Sequence, residues 1–190
     1  MDQIAPRLTR AAVWTPDGID IRTLDIPELA PGDVLVRIDL ATVCGSDLHT
    51  VSGRRPGACP SILGHEAVGR VIAVGDGARP VAVGDGARPV VVDDGARPVV
   101  VGDDGSLAPG DRVVWSVTVP CGQCPRCTAG FTAKCVDVRK VGHESALGDW
   151  VLSGSYAEHI VLPRGTAIAR VPVSMSDAVA APAACATATV

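Results

Sequence analysis

The chain has few aromatic side chains, little net charge and no long hydrophobic run. Aromatic residues make up 3% of its 190 residues, so valine and alanine have to supply most of a hydrophobic core. A net charge of −4 gives no reason to expect nucleic acid or an anionic membrane as a partner. Residues 1–10 lack the apolar core of a signal peptide, and residues 178–190 are too short to cross a bilayer. We therefore expect a cytoplasmic protein that has no membrane partner and no nucleic-acid partner.

The first third of the chain has the sequence pattern of β-strands. Apolar side chains at every second position of residues 34–40 indicate a half-buried strand, and Gly/Pro-rich turn signals bracket the short strands around it. Further strands are predicted at residues 112–119, 156–162 and 167–171. The pattern then changes to an Ala-rich helical run, for which Ser174 and Ser176 are candidate caps. The sequence therefore predicts a mainly β fold with a few helices.

A nine-residue repeat interrupts this pattern. The copies are VGDGARPVA at Val74–Ala82, VGDGARPVV at Val83–Val91 and VDDGARPVV at Val92–Val100. One interpretation is a calcium-binding or partner-binding array. The copies contain no Cys, His or aromatic side chain, so we favour an expanded surface loop over residues 75–108 that alternates Val-rich extensions with Asp-Gly turns.

Four cysteines lie close together in the run CGQCPRCTAGFTAKC. Cys121, Cys124, Cys127 and Cys135 have the spacing C-x2-C-x2-C-x7-C, which brings four thiolates around one small volume. This is what a closed, structural Zn²⁺ site requires, and a Gly/Pro-rich loop of this size needs a metal to hold it. An iron–sulfur cluster also takes four thiolates, and two disulfides would use the same four residues. Zinc fits the spacing and an intracellular context best.

A second group of metal-binding side chains is spread along the chain. Cys44, His65 and Cys185 together offer two thiolates and an imidazole, which is the three-ligand set of an open catalytic zinc site. Asp47 and Glu66 are candidate carboxylates that orient His65 or lie close to the metal. Each residue by itself has an ordinary explanation, since a single cysteine is usually a small buried apolar side chain.

In these motifs the chain resembles the zinc-dependent medium-chain alcohol dehydrogenases, over nearly all of its length except the repeat. The matching segments are Cys44–His49, Gly64–Gly69, Pro109–Val113 and the four-cysteine run. The resemblance implies a GroES-like β-barrel catalytic domain with a zinc-binding lobe, followed by a Rossmann domain that binds NAD or NADP. The amino-acid sequence at residues 153–158 and 185–189 is most similar to that of members associated with phosphonate metabolism.

The resemblance also implies roles for individual residues. Cys44, His65 and Cys185, with Glu66 beside them, would form the catalytic zinc site, and the four-cysteine run would hold the structural zinc. Ser46 matches the hydroxyl that takes the substrate's proton, and His49 matches the residue that relays this proton to solvent. The alternatives are a turn or capping serine at position 46 and a surface histidine at position 49.

The expected cofactor domain has no counterpart in the sequence. No G-x-G-x-x-G follows a strand pattern, and the GDGARP repeats open no helix that could receive a pyrophosphate. We therefore expect an incomplete GroES-like catalytic domain at 1–173, with the repeat loop at 75–108 and the zinc lobe at 121–135. Residues 174–190 would begin the helix that leads to the missing Rossmann domain.

Two functions follow from this organisation. The first is the substrate- and zinc-binding portion of an alcohol dehydrogenase, with a small alcohol or aldehyde as partner and a homo-oligomeric state possible in the full-length enzyme. We expect no alcohol oxidation by this chain alone. The alternative is a truncated, non-catalytic zinc-binding module. Cys59 matches neither metal site and is interpreted as a spare thiol.

Overall fold

Strands dominate the computed structural model, which describes residues 6–75, 99–101 and 107–188. The strands are β1 (Leu8–Thr15), β2 (Gly18–Asp25), β3 (Val34–Thr42), β4 (Ser61–Ile62), β5 (Glu66–Val74), β6 (Val99–Val101), β7 (Arg112–Trp115), β8 (Thr118–Val119), β9 (Arg139–Lys140), β10 (His159–Leu162) and β11 (Ala167–Arg170). The helical segments are α1 (Gly45–Val51), α2 (Pro125–Thr128), a 3₁₀ turn (Thr132–Lys134), α3 (Asp177–Ala180) and a π turn (Ala183–Thr187). The prediction of a mainly β fold with a few helices is confirmed.

The largest sheet has six strands in the order β10-β3-β5-β7-β11-β6. Its neighbours are antiparallel except for β11 and β6, which are parallel. Apolar side chains from β3, β5, β7, β10 and β11 form one buried cluster, as they do inside a small barrel. A three-stranded sheet, β2-β1-β4, and the β8–β9 pair complete the described fold.

Strand β3 confirms the strand predicted at residues 34–40 but is buried on both faces where it begins. Val34 and Val36 belong to the buried cluster of the six-stranded sheet, whereas Leu35 packs with Val13 and Ile62 in a second cluster on the other face. The alternation in sequence predicted one buried face. The second face is covered because the three-stranded sheet packs against it, and each side chain buried there contributes about 1.5–3 kcal/mol.

Two predicted strands are shorter than the sequence pattern indicates. The strand predicted at 112–119 divides between β7 and β8 at Ser116, whose hydroxyl accepts a hydrogen bond from the backbone N–H of Thr118. The strand predicted at 156–162 begins regular pairing only at His159. Tyr156 lies in the bend that precedes it.

The Ala-rich run forms two short helical pieces instead of one helix. Helix α3 begins after Ser176, whose side chain makes no capping hydrogen bond. The break comes at Pro182, which cannot donate a backbone hydrogen bond, and the N–H groups of Cys185 and Thr187 both bind its carbonyl. Arg112 fixes the preceding segment by bonding to Asp177 at 2.6 and 2.9 Å.

The nonapeptide repeat lies outside the described residues, apart from its first two residues, Val74 and Gly75, and its last valines, Val99 and Val100, which belong to β6. The interpretation of residues 75–108 as a surface loop therefore stays a prediction. Within the part of the chain that the structure describes, no helix has the length and apolar character needed to span a membrane.

Candidate metal centres

The four-cysteine run folds into a small lobe in which the sulfur atoms converge. One ligand atom from each of Cys121, Cys124, Cys127 and Cys135 lies within 4.8 Å of the others, and the last three residues are buried. A tetrahedral Zn²⁺ with Zn–S bonds of about 2.3 Å would place its sulfurs about 3.8 Å apart. The sulfur arrangement therefore fits this ion with only a small contraction.

The backbone of the lobe stabilises thiolates. The N–H groups of Cys121 and Asp137 each donate to the Sγ of Cys135 over 3.3 Å. Backbone N–H groups also lower the pKa of Cys124 to about 6, while burial raises the pKa of Cys127 to about 12. The structure describes all seven cysteines, and none of them forms a disulfide.

A second cluster joins residues from three distant segments. One ligand atom each of Cys44, His65, Glu66 and Cys185 lies within 4.8 Å of the others. Cys44 directly precedes α1, His65 and Glu66 stand at the start of β5, and Cys185 lies in the π turn. The sheet thus brings together all four residues that the sequence predicted for the catalytic zinc site.

Neighbouring groups in and beside this second cluster shift the pKa values of its side chains. The Nδ1 atom of His65 lies 3.4 Å from Oδ1 of Asp47, and both side chains are only 3% exposed. Burial opposes charge on His65, but the Asp47 carboxylate outweighs it, so the pKa of His65 is raised. Burial also opposes ionisation of Cys44, but bonding to Ser46 and His65 lowers its pKa. Burial and Glu66 raise the pKa of Cys185 to about 12.

Glu66 has one satisfied and one unsatisfied oxygen. The hydroxyl of Thr42 donates to Oε2 of Glu66 over 2.7 Å. Its Oε1 is buried and has no hydrogen-bond partner among the described residues. A buried carboxylate oxygen without a partner carries a desolvation cost that a cation would relieve.

The two predicted proton-transfer residues occupy different environments. Ser46 is half-buried, and its Oγ lies 3.4 Å from Nε2 of His65, so the structure brings it to the second cluster. His49 is exposed one turn further along α1. Although both residues are described, the structure shows no hydrogen bond between their side chains.

Sequence reasoning missed His143 and Tyr156. The imidazole rings of His143 and His65 lie 5.2 Å apart, and burial with the nearby charges of Arg55 and His65 lowers the pKa of His143 to about 4. Tyr156 donates a hydrogen bond of 2.8 Å to Asp47. Each is a single residue far along the chain from Cys44 and His65, so no spacing pattern could have identified it.

Comparisons with known proteins agree with this arrangement. The model of the "Alcohol dehydrogenase GroES-like domain" family matches residues 30–95 and 94–173. The S-(hydroxymethyl)glutathione dehydrogenase of Photobacterium damsela subsp. piscicida is 33% identical over 144 residues, covering 74% of this chain and 32% of that protein. The zinc-type alcohol dehydrogenase B of Aspergillus flavus is 29% identical over 156 residues, covering 81% and 29%.

Solved structures show the same fold. An alcohol dehydrogenase from Thermotoga maritima superposes with a TM-score of 0.75 and 29% identity, covering 96% of this chain and 46% of that one. A Sinorhizobium meliloti protein solved with NADP bound has a TM-score of 0.65 and 26% identity, covering 90% and 41%.

The chain spans about a third of the length of the curated relatives it matches. Full-length proteins of this kind combine zinc with NAD or NADP. The matched domain, the β fold and the two clusters of zinc-binding side chains all agree. The chain therefore belongs to the zinc-dependent alcohol dehydrogenases, of which it contains the GroES-like domain.

Proposed function

We propose that this chain is the substrate- and zinc-binding portion of an alcohol dehydrogenase that oxidises an alcohol by hydride transfer to NAD or NADP. The convergence of Cys44, His65 and Cys185 carries the proposal, because two thiolates and an imidazole leave a fourth position on zinc free. The partly exposed cysteines flank a buried histidine, so the cluster has both a fixed ligand and an approach from solvent.

In this proposal Cys44, His65 and Cys185 hold the catalytic zinc. Glu66 adjoins them, and its unpartnered Oε1 would lie near the cation without occupying the fourth position. Bound there, the zinc supplies Lewis-acid chemistry that lowers the pKa of a substrate hydroxyl. Cys121, Cys124, Cys127 and Cys135 would hold a second zinc, which has a structural role because its shell is filled by sulfur.

Ser46 would take the proton that the alcohol loses. Its half-buried hydroxyl lies beside His65, at the edge of the proposed ligand set. His49, which is exposed on the same helix, would pass the proton on to solvent after a side-chain movement. The hydride would go to a nicotinamide ring, whose redox chemistry belongs to the cofactor.

We extend the proposal to the organisation of the chain. Residues 1–173 would form the catalytic domain, and residues 75–108 would be a loop inserted into it. In support, the first family match ends at residue 95 and the second begins at residue 94, both within the repeat, and the second match ends at residue 173. Residues 174–190 would lead toward a cofactor domain.

The substrate would be a small alcohol or aldehyde, the enzyme would act in the cytoplasm, and a homo-oligomeric state is possible for its full-length form. The similarity to members associated with phosphonate metabolism stays a prediction.

Cobalt substitution tests whether the second cluster is an open metal site. Co²⁺ replaces Zn²⁺ in sites of this kind, and its visible spectrum changes when an outside ligand enters the coordination shell. We expect trifluoroethanol to alter the spectrum of the cobalt-loaded chain. This response should disappear in Cys44→Ser and persist in Cys124→Ser. A cobalt spectrum that no alcohol alters would contradict the proposal and favour a non-catalytic zinc-binding module.

A further inference from the structure

Tyr156 places a phenolic hydroxyl between two acceptors near the second cluster. Its Oη lies 2.8 Å from Oδ2 of Asp47 and 3.2 Å from the carbonyl oxygen of Thr42. A phenol has one proton to donate, and the bond to a carboxylate is the stronger because the acceptor is charged. The distance to Asp47 is also the shorter of the two, so Tyr156 donates its hydrogen bond to Asp47.

Asp47 is held so that its other oxygen faces His65. Its Oδ2 also accepts from the backbone N–H of Cys44 over 3.2 Å, while its Oδ1 lies 3.4 Å from Nδ1 of His65. The carboxylate is only 3% exposed, so water cannot replace a lost partner without rearrangement. Tyr156 is thus one of two donors that set the angle at which Asp47 meets His65.

Ring packing and backbone hydrogen bonds together fix the position of Tyr156. A Cβ added to Gly64 would come within 2.7 Å of the ring carbons Cδ1 and Cε1, so the ring packs directly on the residue that precedes His65. The backbone N–H of Tyr156 donates to Leu63 over 3.0 Å, and its carbonyl accepts from Ala12 over 2.8 Å. The hydroxyl therefore reaches Asp47 from a rigid support.

We propose that Tyr156 is a positioning residue for the catalytic metal, acting through Asp47 on the orientation of His65. The carbonyl oxygen of Thr42 lies 3.2 Å from the Tyr156 hydroxyl, and the hydroxyl of Thr42 donates to Glu66, so Thr42 adjoins both Tyr156 and Glu66. The inference deepens the proposed function and rests on it.

Metal affinity tests the inference within one molecule that carries two sites. Tyr156→Phe keeps the ring on Gly64 and removes only the hydroxyl. Loss of the carboxylate partner of a metal-binding histidine typically weakens metal binding about 10–100-fold, and because Tyr156 acts through that carboxylate we expect a loss of about tenfold at the second cluster. Competition titration with a zinc chelator should show no change at the four-cysteine site, which serves as the internal reference.

A matched control and a double variant separate positioning from general damage. Ser155→Ala removes a neighbouring buried hydroxyl that has no hydrogen-bond partner among the described residues, and should leave both affinities unchanged. Asp47→Asn should weaken the second site at least as much as Tyr156→Phe. Combining the two variants should add little further loss, because the hydroxyl acts through the carboxylate.

Three outcomes would overturn the inference. Two zinc sites with unchanged affinities in Tyr156→Phe would overturn it alone and leave the proposed function intact. Additive losses in the double variant would show that Tyr156 acts independently of Asp47. A wild-type chain that binds only one zinc would overturn the proposed function and this inference with it.

Discussion

Replacing Gly142 with alanine should damage both the fold and the second metal cluster. Gly142 has φ +72°, and a Cβ there would overlap the carbonyl oxygen of Gly64 and lie 2.8 Å from its carbonyl carbon. The left-handed backbone costs an L-residue about 1–2 kcal/mol. Forcing a methyl group against backbone costs about 1–3 kcal/mol more. We therefore expect Gly142→Ala to lower the free energy of unfolding by about 2–5 kcal/mol.

Gly110→Ala provides the matched control. Gly110 has φ +95°, but an added Cβ would meet nothing within 4 Å. This variant should lose only the backbone contribution, about 1–2 kcal/mol. Urea unfolding of the zinc-loaded proteins, followed by the fluorescence of buried Trp115 and Trp150, measures both losses.

The same variants report on the metal site. Because Gly64 directly precedes His65, pushing it away should also weaken zinc binding at the second cluster in Gly142→Ala but not in Gly110→Ala. Equal losses of unfolding free energy in the two variants would refute the steric reasoning. An unchanged zinc affinity in Gly142→Ala would refute the link between this close backbone contact and the position of His65.

Three further predictions concern catalysis, the C-terminal segment and pH. In a complete enzyme, Ser46→Ala should lower kcat at least about 100-fold and leave the zinc content unchanged, as steady-state kinetics and metal analysis would show. Arg112→Gln removes the bonds to Asp177 and should cost about 1–3 kcal/mol in urea unfolding, and faster alkylation of Cys185 should accompany it. His143 has a pKa of about 4 when folded against an ordinary 6.5, so it stays neutral while the unfolded chain takes up a proton. Its contribution to stability is therefore lost as pH falls from about 6.5 to 4, and metal-free His143→Gln should unfold with a weaker pH dependence in that window.

The sequence predicted the features whose signal is local. The four-cysteine spacing places its ligands within 15 residues, so the lobe could be predicted without knowing the surrounding fold. The alternation at residues 34–40 predicted β3 because alternate side chains of a strand face opposite sides of the sheet. The second cluster was predicted through motifs shared with a family, since nothing local connects Cys44 to Cys185.

The remaining features depend on tertiary packing. Tyr156 and Asp47 are 109 positions apart in the chain, so their hydrogen bond exists only because the segment before β10 passes beside α1. Leu35 is buried by the three-stranded sheet, and the sequence pattern of β3 alone does not predict that this sheet packs there. The Ala-rich run has good helix propensity, but Pro182 interrupts it and leaves Cys185 in a π turn at the cluster.

Zinc stoichiometry of the purified chain, prepared reduced and without chelator, tests the central claim most directly. Our account predicts two zinc ions per chain, falling to one in Cys44→Ser and to one in Cys124→Ser, because each variant loses a different ion. A wild-type chain with a single zinc, or a Cys44→Ser variant that retains two, would contradict the account.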